Sequence, residues 1–414
     1  MGLLIVGAGV AIVVSGSGRN RPSDRPLSAD PGQLGLDPVA AAGSSSSARD
    51  PAAIPGGAGA VPVGTVVRPE SFGAVGDGKA DDTAALQRAF DSLDGGKTLV
   101  IEAGRTYRHT AVLKLGKFGS RVMGPGTILA TAEEKSAIWI EADNVTLYGG
   151  LVLKMSSASQ RWHGYDQVKL RLSGHSGAVV DSVVIDGSAA AGIFVGNGAH
   201  QFTITNVTVR NTGADGIQMT DGAHDGIVTR PKVSGAGDDG VAVMSYLNDP
   251  ERCRNITVDS PVVESNVWGR GVAVVGGEDI TYRNISVARS TSAAVYIAAE
   301  GAPFNSTGSR RIRVLGGTVT DSNTRADVGH GAVVVYSGHP GQSIDDVQID
   351  GLRISNTRVS APSHVSVRGA PVNAIRLTNL AISGTGPPTV AAFVNGAEAT
   401  VSGWTVDGKA FTPN

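Results

Sequence analysis

Read for its apolar positions, the chain divides near residue 65. Leu3 to Val14 is an apolar run of about a dozen residues, followed by Ser-Gly-Ser-Gly and then Arg19 and Arg21. The run is shorter than the roughly 20 residues of a membrane-spanning helix. It has the shape of the apolar part of an export signal, although no basic residue precedes it. Residues 1–18 are read as a signal peptide or membrane anchor. Residues 19–65 hold Pro, Gly, Ser and Ala with no apolar period, Ser44 to Ser47 among them, which predicts a disordered linker. Together they predict an exported protein, secreted or held at the cell surface by its N-terminus.

From residue 66 to 414 the pattern is that of a folded body. Asp81, Asp82 or Thr83 can cap a helix, and Ala84, Leu86, Ala89, Phe90 and Leu93 recur at helical spacing. After this helix the chain reads as strand upon strand. Asn144-Val-Thr-Leu, Phe202-Thr-Ile-Thr-Asn-Val-Thr-Val, Asn255-Ile-Thr-Val and Asn284-Ile-Ser-Val are variants of one strand. A second strand follows, starting at Gly192, Gly216, Gly240, Gly271, Ala294 and Gly331, at intervals of 24, 24, 31, 23 and 37 residues. Such a period indicates stacked repeats. The units hold no helix long enough for a leucine-rich or ankyrin repeat, and they are too short for a propeller blade of about 40 residues. An all-β, single-stranded parallel β-helix of about ten coils fits, with the helix covering the N-terminal end of its core.

Composition narrows the classes. There are 57 Gly in 414 residues and only 19 aromatic residues, but no every-third-residue glycine, and Val and Ile abound, so collagen and bulk disorder are excluded. With Lys+Arg 35 against Asp+Glu 37, nothing in the charge predicts nucleic acid as a partner. The single cysteine, Cys253, excludes an internal disulfide and a thiolate zinc cluster. Asn144, Asn206, Asn255, Asn284 and Asn305 all stand in Asn-x-Ser/Thr triplets. Because four of them recur at one point of the coil, internal stacking or turn hydrogen bonding explains them better than glycosylation.

Aligning the coils exposes a column of chemistry. The residues just before the second strand are Ala191, Asp215, Asp239, Arg270, Ala293 and His330, with Asp238 beside Asp239. Adjacent coils are about 4.8 Å apart, so Asp215, Asp239 and Arg270 are expected to be vertical neighbours. Stacked carboxylates repel and raise at least one pKa. Asp-Gly is ordinary turn chemistry at many points of this chain, but the Asp238-Asp239 doublet one coil from Asp215 points instead to paired acid and base carboxyls. An inverting glycosidase holds its pair ~6.5–9.5 Å apart and a retaining one ~5–5.5 Å, and coil spacing with one residue of lateral offset is expected to reach the longer range. Trp268, Tyr246, Tyr296 and Glu300 are candidate groove residues. Trp162-His163-Gly164-Tyr165-Asp166 interrupts the coils as a loop or lid, with His163 a candidate helper.

These residues resemble a known superfamily. Ser71-Phe-Gly-Ala-Val-Gly-Asp-Gly-Lys-Ala-Asp-Asp-Thr-Ala-Ala-Leu-Gln is similar to the N-terminal signature of pectate-lyase-like right-handed β-helices such as polygalacturonases and rhamnogalacturonases. Thr212-Gly-Ala-Asp215-Gly-Ile and Gly237-Asp238-Asp239-Gly-Val-Ala-Val resemble the glycoside hydrolase family 28 pattern Asn-Thr-Asp-Gly-Ile and Gly-Asp-Asp-Cys-Ile-Ala. The resemblance implies Asp238 as general acid, with Asp215 and Asp239 activating water for inverting attack. It also shows departures. Gly269-Arg270-Gly271 stands where that family has Gly-His-Gly, and Tyr296-Ile297-Ala298 where it has a uronate-gripping Arg-Ile-Lys. Without those two cations a subsite cannot discriminate strongly for galacturonate. The expected substrate is therefore a polysaccharide or oligosaccharide other than plain polygalacturonate.

Two further classes stay open: a lyase or epimerase on the same rod, with Arg270 or a tyrosine as base and Ca²⁺ held by aspartates, and a non-catalytic glycan-binding rod. No metal is expected under the hydrolase reading. No nucleotide or metalloprotease motif predicts an organic cofactor, and the protein is expected to be a monomer.

Overall fold

The computed structural model describes residues 61–369, 371–394 and 399–413. The predicted signal or anchor and nearly all of the predicted linker lie outside the described residues. No described helix is long and apolar enough to cross a membrane.

The body is a right-handed parallel β-helix. One wall is an eleven-stranded parallel sheet. Its strands run Leu113–Leu115, Ile138–Ile140, Leu170–Ser173, Ile193–Gly196, Ile217–Met219, Val241–Met244, Val272–Val275, Val295–Ala299, Val333–Ser337, Val365–Arg368 and Ala391–Val394. They stack in chain order, with Ile193, Ile217, Val241, Val272, Val295 and Val333 in one row. That row and the row two residues on (Val195, Met219, Val243, Val274, Ile297, Val335) turn inward to the main core. The row between them (Phe194, Gln218, Ala242, Ala273, Tyr296) faces outward.

Glycine immediately precedes four of these strands because the coils approach closely there. A Cβ on Gly216 would lie 2.3 Å from Val233 Cγ1 and 2.6 Å from the Gly240 carbonyl oxygen. The 37-residue step in the repeat is read one residue early by sequence: Val295 pairs with Val333. Ala332, not Gly331, therefore matches Ala294, and His330 is displaced from the column.

The asparagine repeats are turn residues. Asn144, Asn206, Asn255 and Asn284 have φ of 58°, 55°, 51° and 51°, a region asparagine tolerates, and all four are exposed. Asn206 donates to Asp181 Oδ1 at 3.0 Å and Asn284 to Asp259 Oδ1 at 3.1 Å, each one coil below. Turn hydrogen bonding is right and internal stacking is not.

Both ends of the described rod are covered. Helix Thr83–Asp91 buries Ala85, Leu86, Ala89 and Phe90, with Ala84 outside. Asp82 does not cap it by side chain; its carboxylate accepts the Val75 and Gly76 amides at 2.7 and 3.1 Å. At the other end Trp404–Val406 and Lys409–Phe411 form an antiparallel hairpin. The buried Trp404 donates its indole N–H to the Leu377 carbonyl at 2.8 Å.

Candidate active site

Asp215 and Asp239 lead into paired strands and stack as expected. The Asp239 backbone N–H donates to Asp215 Oδ1 at 3.0 Å, and the Arg270 backbone N–H donates to Asp239 Oδ1 at 2.6 Å. Each column carboxylate is thus fixed by the coil above it. Asp215, Asp238 and Asp239 are 0%, 2% and 0% exposed, and one oxygen from each lies within 4.8 Å of the other two. Asp215 Oδ2, Asp238 Oδ1 and Asp239 Oδ2 have no hydrogen-bond partner among the described residues. Each buried oxygen left so costs about 1–3 kcal/mol, offset at Asp239 Oδ2 by the Arg270 guanidinium 3.5 Å away, and packing alone gives no reason to keep that cost at Asp215 and Asp238.

Burial, followed by the charges of Asp238 and Asp239, pushes Asp215 well above the ordinary carboxylate range. Burial likewise raises Asp239 to about 7, against the pull of Arg270. Arg270 is 7% exposed. Burial opposes its charge, yet Asp239 and Glu300 hold its pKa well above the ordinary value. Its guanidinium bonds to Glu300, comes within 3.5 Å of Asp239 Oδ2 and lies 4.1 Å from the centre of the Tyr296 ring. Tyr296 donates to Glu300 Oε1 at 3.1 Å. Arg270, Tyr296 and Glu300 therefore form one closed unit behind Asp239. An arginine so held is a fixed cation and no base. Tyr246, half-buried, donates to Met244 Sδ at 3.4 Å; burial and then Asp215 raise its pKa well above the ordinary value, and burial does the same to Tyr296.

Sequence reasoning missed Arg161. Its guanidinium bonds to Asp238 Oδ2 at 2.5 Å, 77 residues away in the chain. It is delivered by the segment between the strands Val152–Met155 and Leu170–Ser173, which lies against the triad as a strap. No repeat or motif marks Arg161, because only the fold brings this segment beside Asp238. Asn266 was also missed; it donates to the Asp238 and Arg270 carbonyls at 2.8 and 2.7 Å. His163, on the same strap, is exposed. Trp268 is half-buried, with Arg325 3.3 Å over its ring.

A cleft of about 710 Å³ runs beside the triad, lined by Lys154, Gln160, Arg161, Asn211, Gly237 and Trp268 among others. It stops short of the three carboxylates, with Arg161 on the boundary. The triad does not suit Ca²⁺, which takes six to eight oxygen ligands: two guanidiniums already stand against the same carboxylates.

Comparison with known proteins agrees with the rod. The family model described as "Rhamnogalacturonase A/epimerase, pectate lyase-like" matches residues 67–296, more than half of the chain. No curated protein sequence matches. Among solved structures, the catalytic unit of a GH87 α-1,3-glucanase from Streptomyces thermodiastaticus superposes with a TM-score of 0.62 at 19% identity, over 84% of this chain and 70% of that one. A mannuronan C-5 epimerase A-module from Azotobacter vinelandii gives 0.54 at 16%, over 82% and 98%. An exopolygalacturonase from Thermotoga maritima gives 0.52 at 14%, over 82% and 92%. At these identities the likeness is one of fold.

Proposed function

The chain belongs to the rhamnogalacturonase A/epimerase, pectate lyase-like family, and from that premise we propose that it is a glycoside hydrolase cutting a polysaccharide at Asp215, Asp238 and Asp239. The observation that carries the reading is the set of three buried carboxylates within 4.8 Å, each with an oxygen that accepts no hydrogen bond among the described residues. Asp215 and Asp239 are pushed up in pKa, so this pair keeps a proton near neutral pH. That proton is what a leaving glycosidic oxygen needs. Asp238, the acid of the resembled pattern, lies within 4.8 Å of both and passes that proton on to the leaving oxygen, which frees a carboxylate of the pair to take a proton from water. Asp215 and Asp239 turn water onto the anomeric carbon, and the product has inverted configuration. Trp268 supplies an apolar face for a sugar ring at the edge of the cleft, and Arg270, Tyr296 and Glu300 hold Asp239 in place. With Tyr296 and Ala298 where the resembled pattern has cations, the sugar at the cut is not plain polygalacturonate.

The short oxygen approach supports a second reading, retention through a glycosyl-enzyme, because a retaining pair stands ~5–5.5 Å apart. Incubation with a panel of plant and microbial polysaccharides tests both. New reducing ends are expected, and NMR of the first-formed anomer separates inversion from retention. Asp238→Asn is expected to lower the rate roughly 10²–10⁴-fold. Full activity in that variant removes Asp238 from the acid role. An unsaturated, UV-absorbing product replaces hydrolysis with a lyase, and binding without any product leaves a glycan-binding rod.

A further inference from the structure

Arg171 lies within the strand Leu170–Ser173 on the outer face of the eleven-stranded sheet, in register with Trp139 on one side and Phe194 on the other. It is 7% exposed. Its Nε is enclosed without a hydrogen-bond partner, and among the described residues its guanidinium has neither an ion pair nor a hydrogen bond. Its neighbours are aromatic: the guanidinium carbon lies 4.4 Å from the centre of the Trp139 ring and 4.2 Å from that of Tyr165. The Lys114 ammonium lies over the same Trp139 ring at 4.4 Å. The nearby acids are engaged elsewhere or act at a distance: Glu141 accepts from Lys114 at 3.0 Å, Asp166 pairs with Lys135, and Asp221 acts only through space. Burial pulls the Arg171 pKa down against the distant charges of Glu141, Asp221 and Asp166, as expected of a cation that has lost water and has no acid in contact.

Gln218 and Ala242 continue the outward row that contains Arg171 and Phe194, in the strands that Asp215 and Asp239 lead into. Arg171 is two to three coils from Gln218 and Ala242 at about 4.8 Å per strand, and Asp215 and Asp239 stand three residues before those two, so the triad is roughly 14–17 Å away. We propose that Arg171, with Lys114 and the rings of Trp139 and Tyr165, forms a remote subsite for a carboxylate-bearing sugar, a uronate, in a glycan that also reaches the triad. A guanidinium resting over two rings keeps its N–H edge for bonding, and a planar carboxylate meets that edge with two parallel bonds. The rings hold the two cations in place, Trp139 lying in register between Lys114 and Arg171. A neutral hydroxyl would leave the buried charge uncompensated. Acid recognition is thus moved from the cleavage centre, where Tyr296 and Ala298 offer no cation, to a site a few sugar units away. The link to a cut glycan rests on the hydrolase reading; the subsite itself does not.

Calorimetry on the full chain tests it, with tetragalacturonate and tetramannuronate as probes and their carboxyl-reduced, neutral counterparts as controls. At least one acid tetramer is expected to bind roughly tenfold or more tighter than its neutral counterpart. Arg171→Gln is expected to abolish that difference, and Arg171→Lys to restore part of it. A circular dichroism melt of each variant confirms that it is folded. Equal affinity for acid and neutral forms, no binding of any tetramer, or an acid preference that survives Arg171→Gln overturns the proposal. Acid preference with no product from any polysaccharide counts against hydrolysis alone. Product release with no acid preference counts against the subsite alone.

Discussion

Two kinds of buried charge make opposite demands on pH. Asp239 is raised in the folded state to about 7, above its unfolded value of about 3.9. Its protonation therefore stabilises the fold fully below about pH 4, and that stability is lost as pH rises through 7. Asp215 shifts in the same direction. Asp215→Asn keeps an oxygen for the Asp239 amide and removes the charge. It is expected to abolish activity and to raise stability by about 1–3 kcal/mol at pH 8 but little at pH 4, as read by urea unfolding. Lys169 is the reverse case. Wholly enclosed, it donates to the Ser136 carbonyl at 2.8 Å and to His109 Nε2 at 3.2 Å, and burial lowers its pKa to about 7. The unfolded chain binds the extra proton between about pH 7 and 10.4, so stability rises with pH across that window. Lys169→Met is expected to gain stability relative to the parent near pH 6 and to lose that advantage by pH 10, measured by melting at both. The Asp triad was legible as a column of residues before successive strands. Lys169 was not, because its burial depends on which coil corner it fills.

At the scale of elements, the repeat was readable because each coil buries the same two rows of one strand, and an apolar row survives as a sequence period. The strap between Met155 and Leu170 has no such constraint. It appears in sequence only as an interruption, and only the fold sets Arg161 on Asp238 while leaving His163 outside. Arg161 also lowers the Asp215 pKa through space. Removing it with Arg161→Ala lets the triad keep its proton to higher pH. The alkaline limb of the kcat/KM profile is therefore expected to move upward, and an unmoved limb would separate the strap from the proton chemistry.

The whole molecule is a stack in which each coil is stabilised by its neighbours, so its ends decide how far the stack survives. Phe90 in the N-terminal helix and Trp404 in the C-terminal hairpin are 1% and 2% exposed. Trp404→Ala is expected to cost about 3–5 kcal/mol. It should unfold the last coils ahead of the rest, seen as early hydrogen exchange around residues 372–394 with protection at the triad retained. The N-terminal cap was foreseen because an isolated amphipathic helix stands out among strands. The C-terminal hairpin was not, because its strands are three residues each and carry no period.

Repetition made the fold class, the triad and most of the strand register readable from the chain. A row that recurs every coil leaves the same residue types at the same interval, and an acid in that row shows against it. The single contacts between distant segments had to come from the tertiary structure: Arg161 across Asp238, Arg270 locked to Glu300 over Tyr296, Arg171 between Trp139 and Tyr165. Each occurs once, joins side chains from different coils, and is set by how loops of unequal length come to rest on a regular rod. No interval in the sequence encodes that.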